Sequence, residues 1–233
     1  MIKTEQLKRS PLRILKKTTH GGVGKGNIGV IAARKGVGKT ACLVHIATDQ
    51  LFEEKHVIHV SFSANPSHII SWYEDIFDEI ARKFKVNSTE IHDSIIKNRI
   101  IMNFNQDGTK TGQIMNSIKS MIKEGHFDAN TIVVDGYDFN KTTKENFKLI
   151  KSFAEELGLE IWFSASLKED ESDFDKNNVP QLLADYINDI AILIYMKPKG
   201  KFINLQLVKD HDILPVKNMH LNLDPKSLLI VES

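Results

Sequence analysis

Two short stretches of this chain hold residue types that do chemistry together. The first is Ala33-Arg34-Lys35-Gly36-Val37-Gly38-Lys39-Thr40, followed by Ala41. It fits the pattern GxxxxGK[ST] with alanine in the first place, a change that keeps that residue small. Such a loop turns backbone N–H groups toward phosphate oxygens, and its glycines let the main chain come close. A helix opening at Lys39 adds the positive end of its dipole. Lys39 then supplies countercharge to the β- and γ-phosphates, and the Thr40 hydroxyl becomes a ligand of Mg²⁺. The candidate phosphate cradle is Arg34, Lys35, Gly36, Val37, Gly38, Lys39, Thr40 and Ala41. The second stretch, Thr131-Ile132-Val133-Val134-Asp135, is an apolar run ending in a carboxylate that can hold the same Mg²⁺, usually through water. Many strands end in aspartate only to begin a turn. Behind a phosphate loop, Asp135 reads as the second metal-holding residue, and ATP with Mg²⁺ is the expected ligand.

The elements that must position these residues are legible from periodicity. Strand-like runs alternate with helix-like runs, the pattern of a mainly parallel sheet covered by helices. A strand at Ile28 to Ala33 leads into the loop, and a helix from about Thr40 to Leu51 leads out. A second strand, His56 to Phe62, precedes Asn65 and Pro66, which read as an N-cap and a first-turn proline. Ile69, Tyr73, Ile76, Phe77, Ile80 and Phe84 then repeat at helical spacing. Further on, the pattern predicts a short helix at Glu90 to Asn98 and a strand at Ile100 to Phe104. It continues with a helix at Thr111 to Glu124, the Asp135 strand, a helix at Thr143 to Leu157 and a strand at Glu160 to Ala165. After a polar stretch, Ser166 to Val179, and a short helix near Pro180 to Tyr186, the chain reads as strand after strand. Lys197-Pro198-Lys199-Gly200 reads as a hairpin turn between the first two of these. The reading is an α/β fold with antiparallel C-terminal strands: an N-terminal basic arm and entry turn over residues 1–26, then one domain over 27–233.

Composition narrows the setting. Thirty-one Lys and Arg against thirty Asp and Glu leave a formal charge of +1, so no strong general attraction to nucleic acid is expected. The one cysteine, Cys42, excludes an internal disulfide framework and fits a reducing compartment. The longest apolar run, Ile190 to Met196, is too short to cross a bilayer, and residues 1–17 lack an apolar signal region. The expectation is a cytoplasmic protein without membrane contact.

Several segments together resemble the RecA/KaiC-like P-loop ATPases. His20-Gly21-Gly22-Val23-Gly24-Lys25-Gly26 before the first strand is similar to their entry turn. Val133-Val134-Asp135-Gly136 resembles their Walker B segment, and Ile161-Trp162-Phe163-Ser164-Ala165-Ser166 the strand whose polar end senses the γ-phosphate. Leu183-Ala184-Asp185 running into Ile190-Ala191-Ile192-Leu193 resembles the segment that follows. Leu207-Val208-Lys209-Asp210-His211 resembles a strand ending in Lys-x-Arg that reaches a neighbouring subunit's nucleotide. The resemblance covers roughly residues 10 to 212. It implies a RecA-like fold, ATP·Mg²⁺ binding, and head-to-tail assembly into a ring or filament with Lys209 acting across the interface.

Two departures bear on activity. The resemblance places a water-polarising glutamate at the end of the second strand, where Ser63 stands, and serine is a poor general base at neutral pH. Asp138, three residues past Asp135, is the substitute that the sequence offers. The five arginines are at 9, 13, 34, 82 and 99, so no arginine follows Arg99, and Lys209 would act as a point charge without the bidentate fork. A weak ATPase, or a nucleotide-dependent assembly or switch protein with an unidentified protein partner, is therefore expected.

Two alternatives meet part of this pattern. A ParA/MinD-like ATPase also carries a loop like Lys35 to Thr40, but there a lysine occupies the position of Arg34 and the second strand is Asp-rich. A non-hydrolysing nucleotide-binding scaffold fits the missing glutamate. Nucleic acid is the disfavoured partner, because the stretch Lys168 to Lys176 sets five acidic side chains against two lysines. The basic arm of Lys8, Arg9, Arg13, Lys16 and Lys17 reads as a solvated arm or inter-subunit linker. His56 and His59 fall on opposite faces of a strand and cannot share a metal. Cys42 and Trp162 read as packed core residues.

Overall fold

The computed structural model describes residues 15–17, 19, 21–62, 67–85, 89, 92–93, 96–105, 110–168, 174–214 and 217–232. Ser63, Asn65 and Pro66, the acidic residues 169–173 and the arm up to Arg13 lie outside the described residues. In chain order the elements are β1 (Ile28–Arg34), α1 (Lys39–Phe52), β2 (His56–Ser61), α2 (Ser67–Phe84), β3 (Arg99–Asn103), α3 (Thr111–Lys123) and β4 (Ala129–Asp135). They continue with α4 (Lys144–Leu157), β5 (Glu160–Leu167), β6 (Ile192–Lys199), β7 (Phe202–Asp210), β8 (Lys217–Leu223) and β9 (Ile230–Glu232). Short 3₁₀ helices occupy Ile96–Asn98, Phe139–Lys141 and Gln181–Asp189. The predicted helix at Glu90 to Asn98 is thus a 3₁₀ turn in its last three residues. The one near Pro180 is 3₁₀ over its whole length.

One nine-stranded sheet has the order β3-β2-β4-β5-β1-β6-β7-β8-β9. The first six strands of that order run parallel and the last three are antiparallel. β1 is central and buried except at Arg34, which is why its sequence is an apolar run rather than an alternation. Gly29 sits opposite Trp162 of β5, and a Cβ there would lie 2.6 Å from the indole ring; the close approach of the two strands requires glycine.

Because β2 is three places from β1, α1 must cross β5 and β4 to reach it, and it packs on all four strands. α1 is buried on nearly every side, between the sheet, α2 and the residues of β7–β9. The His45 Nδ1 accepts a hydrogen bond of 3.0 Å from the Ile230 N–H, tying α1 to β9. The opposite face of the sheet carries α3, α4 and the Gln181–Asp189 helix over a second core. There Tyr137, Phe139, Phe147, Phe163 and Tyr186 form a continuous ring cluster with centroids 5.1 to 5.9 Å apart. Such pairs contribute about 1 kcal/mol each beyond area burial. α4 begins where the Thr143 hydroxyl accepts the Asn146 N–H at 3.2 Å and ends at Gly158, with φ +62°.

The hairpin after β6 turns later than the sequence predicts. β6 continues through Pro198 to Lys199, which pairs with Phe202, leaving Gly200 and Lys201 as the turn. Proline is tolerated because the register of β6 with β1 stops at Tyr195, so beyond it that side of β6 has no parallel neighbour to bond.

Candidate functional site

The loop after β1 and the end of β4 open at the same edge of the sheet, with β5 between them. Gly36 and Gly38 have φ of +82° and +105°, so the chain needs glycine at both to double back into α1. At Gly38 there is also no room: a Cβ would sit 2.7 Å from a Leu223 methyl of β8, which props the loop from behind. No side chain caps α1, so its first-turn donors stay open to an incoming anion.

Lys39 is buried, and its ammonium donates to the Ala33 and Arg34 carbonyls at 3.2 and 2.9 Å. Burial lowers its pKa, and the charge of Asp135 opposes that shift. The Thr40 hydroxyl donates to Asp135 Oδ2 at 2.9 Å. The other carboxylate oxygen, Oδ1, accepts from the Ser164 hydroxyl at 2.7 Å, and Ser164 Oγ in turn accepts the Gly136 N–H at 3.1 Å. Both oxygens of Asp135 are thereby oriented, one toward the loop and one by β5.

The structure thus brings Lys39, Thr40 and Asp135 together, with Ala41 buried behind them in α1 and Arg34, Lys35, Gly36, Val37 and Gly38 forming the turn. Those donors and that hydroxyl–carboxylate pair fit a triphosphate with Mg²⁺: Thr40 and Asp135 would hold the metal, and Lys39 with the loop amides would hold the phosphates. Ser164 is the site residue that residue types did not single out. Its signal was the small polar end of an otherwise apolar strand, Ser164-Ala165-Ser166.

Two other candidates stand elsewhere. Asp138 caps the 3₁₀ turn, accepting the Asn140 N–H and side-chain amide at 3.0 and 2.9 Å. Lys209 is at the far end of β7, which runs antiparallel to β6, so it lies at the edge of the sheet opposite the loop. Seven strand steps from Phe202 place it roughly 24 Å along β7 from the loop end. It is buried, its ammonium donates to the Ile187 carbonyl, and burial lowers its pKa. His211 beside it bonds Asp210 at 2.8 Å. Neither lysine nor histidine joins the loop of its own chain.

Cys42 is fully buried, which pushes its thiol to about 12 and makes it an inert packing residue. His59 is buried against Tyr73, with its Nδ1 3.1 Å from the phenol oxygen, whereas His56 stacks on Phe127. Lys16 of the basic arm pairs with Glu53. Among the described residues no three metal-ligating side chains gather elsewhere, and no helix is long and apolar enough to cross a membrane.

No family model and no curated protein matches the sequence. The structure is similar to the solved ATPase domain of a DnaB-like helicase, with a TM-score of 0.71 over 95% of this chain and 89% of that chain, at 17% identity. The fold is RecA-like: an α/β domain with a mostly parallel central sheet and antiparallel C-terminal strands.

Proposed function

We propose that the chain binds ATP·Mg²⁺ in the crevice between Gly36–Thr40 and Asp135, and that it is a weak ATPase or nucleotide-dependent assembly protein. The observation that carries the reading is the 2.9 Å bond between Thr40 and Asp135, which joins the two motifs across β5. A likeness to an ATPase domain in overall fold supports it. Lys39 and the α1 N-terminus stabilise the triphosphate charge, while Thr40 and Asp135 hold the metal. Hydrolysis by the isolated chain is slow, because the sequence has serine at position 63 and no arginine beyond Arg99. Titration of a fluorescent ATP analogue, with and without Mg²⁺, tests the site. Lys39→Ala should weaken binding at least tenfold, the equivalent of about 1.4 kcal/mol. Undiminished affinity in a folded Lys39→Ala protein excludes this site.

The second reading is a scaffold that binds nucleotide without turning it over. It is favoured by Asp138, the substitute base, being engaged as a helix cap. Steady-state turnover of the purified chain separates the two. Measurable hydrolysis that disappears in Asp138→Asn, with binding intact, makes Asp138 the base.

A further inference from the structure

We infer that the cavity under α3, on the face of the sheet away from the phosphate loop, is a second binding site for a small anionic amphiphile. α3 reaches the core through Ile114 and Ile118, and its main helical neighbour is α4. The result is a cavity of about 750 Å³ between α3, α4 and the sheet. Protein interiors leave few voids larger than a water molecule, and a large apolar one forfeits contacts on all its walls. This volume is in the range of small-molecule sites, about 300–1,000 Å³.

The chemistry of the walls selects the occupant. The floor is apolar: Val60, Ile132 and Val134 from the strands, with Phe163 and Phe153 at the side. Water would find few partners there. The polar groups are Lys110, Lys141 and the side-chain amides of Asn116 and Asn146. No acidic side chain lines the space. Lys141 lies 4.0 Å from the Asp138 carboxylate, so the exposed ammonium of Lys110, just before α3, is the main cation at the mouth. An apolar body with one carboxylate or sulfonate head matches floor and mouth together. The site is independent of the nucleotide reading, since none of its walls belongs to the phosphate loop.

The test uses 1-anilinonaphthalene-8-sulfonate, whose fluorescence rises in apolar surroundings. The folded full chain should bind it saturably at one site. Octanoate should displace it, octyltrimethylammonium of the same chain length should not, and ATP·Mg²⁺ should leave it bound. Ile118→Trp, which fills the cavity, should weaken binding about tenfold or more. Lys110→Glu is a surface change that leaves the core alone, and it should weaken binding several-fold even if Ile118→Trp fails to fold. The absence of saturable binding, displacement by ATP·Mg²⁺, equal displacement by the cationic amphiphile, or unchanged affinity in Lys110→Glu overturns the proposal.

Discussion

Asp135 shows how much one residue depends on neighbours distant in sequence. Its two oxygens are committed to Thr40 and Ser164, which come from 95 residues before it and 29 after it. Ser164→Ala should leave the protein folded but loosen Asp135, so Mg²⁺-dependent nucleotide affinity should fall several-fold while Mg²⁺-independent affinity changes little; a titration with and without EDTA checks this. A Ser164→Thr variant retains the hydroxyl and should recover part of the loss. Loop glycines act differently. Gly38→Ala combines a positive φ with a Cβ inside contact distance of Leu223, so it should cost about 1–3 kcal/mol of stability as well as nucleotide affinity, measurable by urea unfolding. The loop, Thr40 and Asp135 were readable because their types and spacing carry the chemistry. Ser164 was not, because its role is set by β5 lying beside β4, and no local pattern states which strands are neighbours.

At the scale of elements, the sheet's C-terminal strands hold α1 in place. His45 accepts the Ile230 N–H in a fully buried setting, and burial brings its pKa down to about 4, with Lys83 adding to the shift; burial lowers that of His59 as well. Both are held neutral in the fold and protonate near 6.5 when unfolded. The unfolded chain therefore binds more protons in between. The stability from this source is complete above about pH 6.5 and is lost as pH falls toward 4. The urea midpoint should drop across that window, and His45→Gln should flatten part of the slope; an unchanged slope would remove His45 from the account. The strand and helix order was legible from alternation between periods of about 2 and 3.6. The span of β6 was not, because Pro198 reads locally as a turn and is allowed in the strand only by where β1 ends. The 3₁₀ character of Gln181–Asp189 was likewise hidden, since its apolar spacing also fits an α-helix.

At the scale of the whole molecule, the loop and Lys209 lie at opposite edges of one sheet. The sequence placed Lys209 at the end of a strand but did not say at which edge, because the direction of β7 follows from its hairpin with β6. Such a lysine can serve only another molecule's nucleotide, and to do so its ammonium must leave the Ile187 carbonyl. If subunits stack head to tail, sedimentation with a non-hydrolysable ATP analogue should show a concentration-dependent larger species, reduced in Lys209→Ala. A strictly monomeric chain at every concentration removes the shared site. The separation of the two edges gives any such stack a polarity. An open row of subunits always has one member whose crevice receives no lysine, and one whose lysine has no crevice to serve; a closed ring has neither. Activity per subunit in an open row would then climb with its length and level off, whereas a ring would switch on in a single step as it closes.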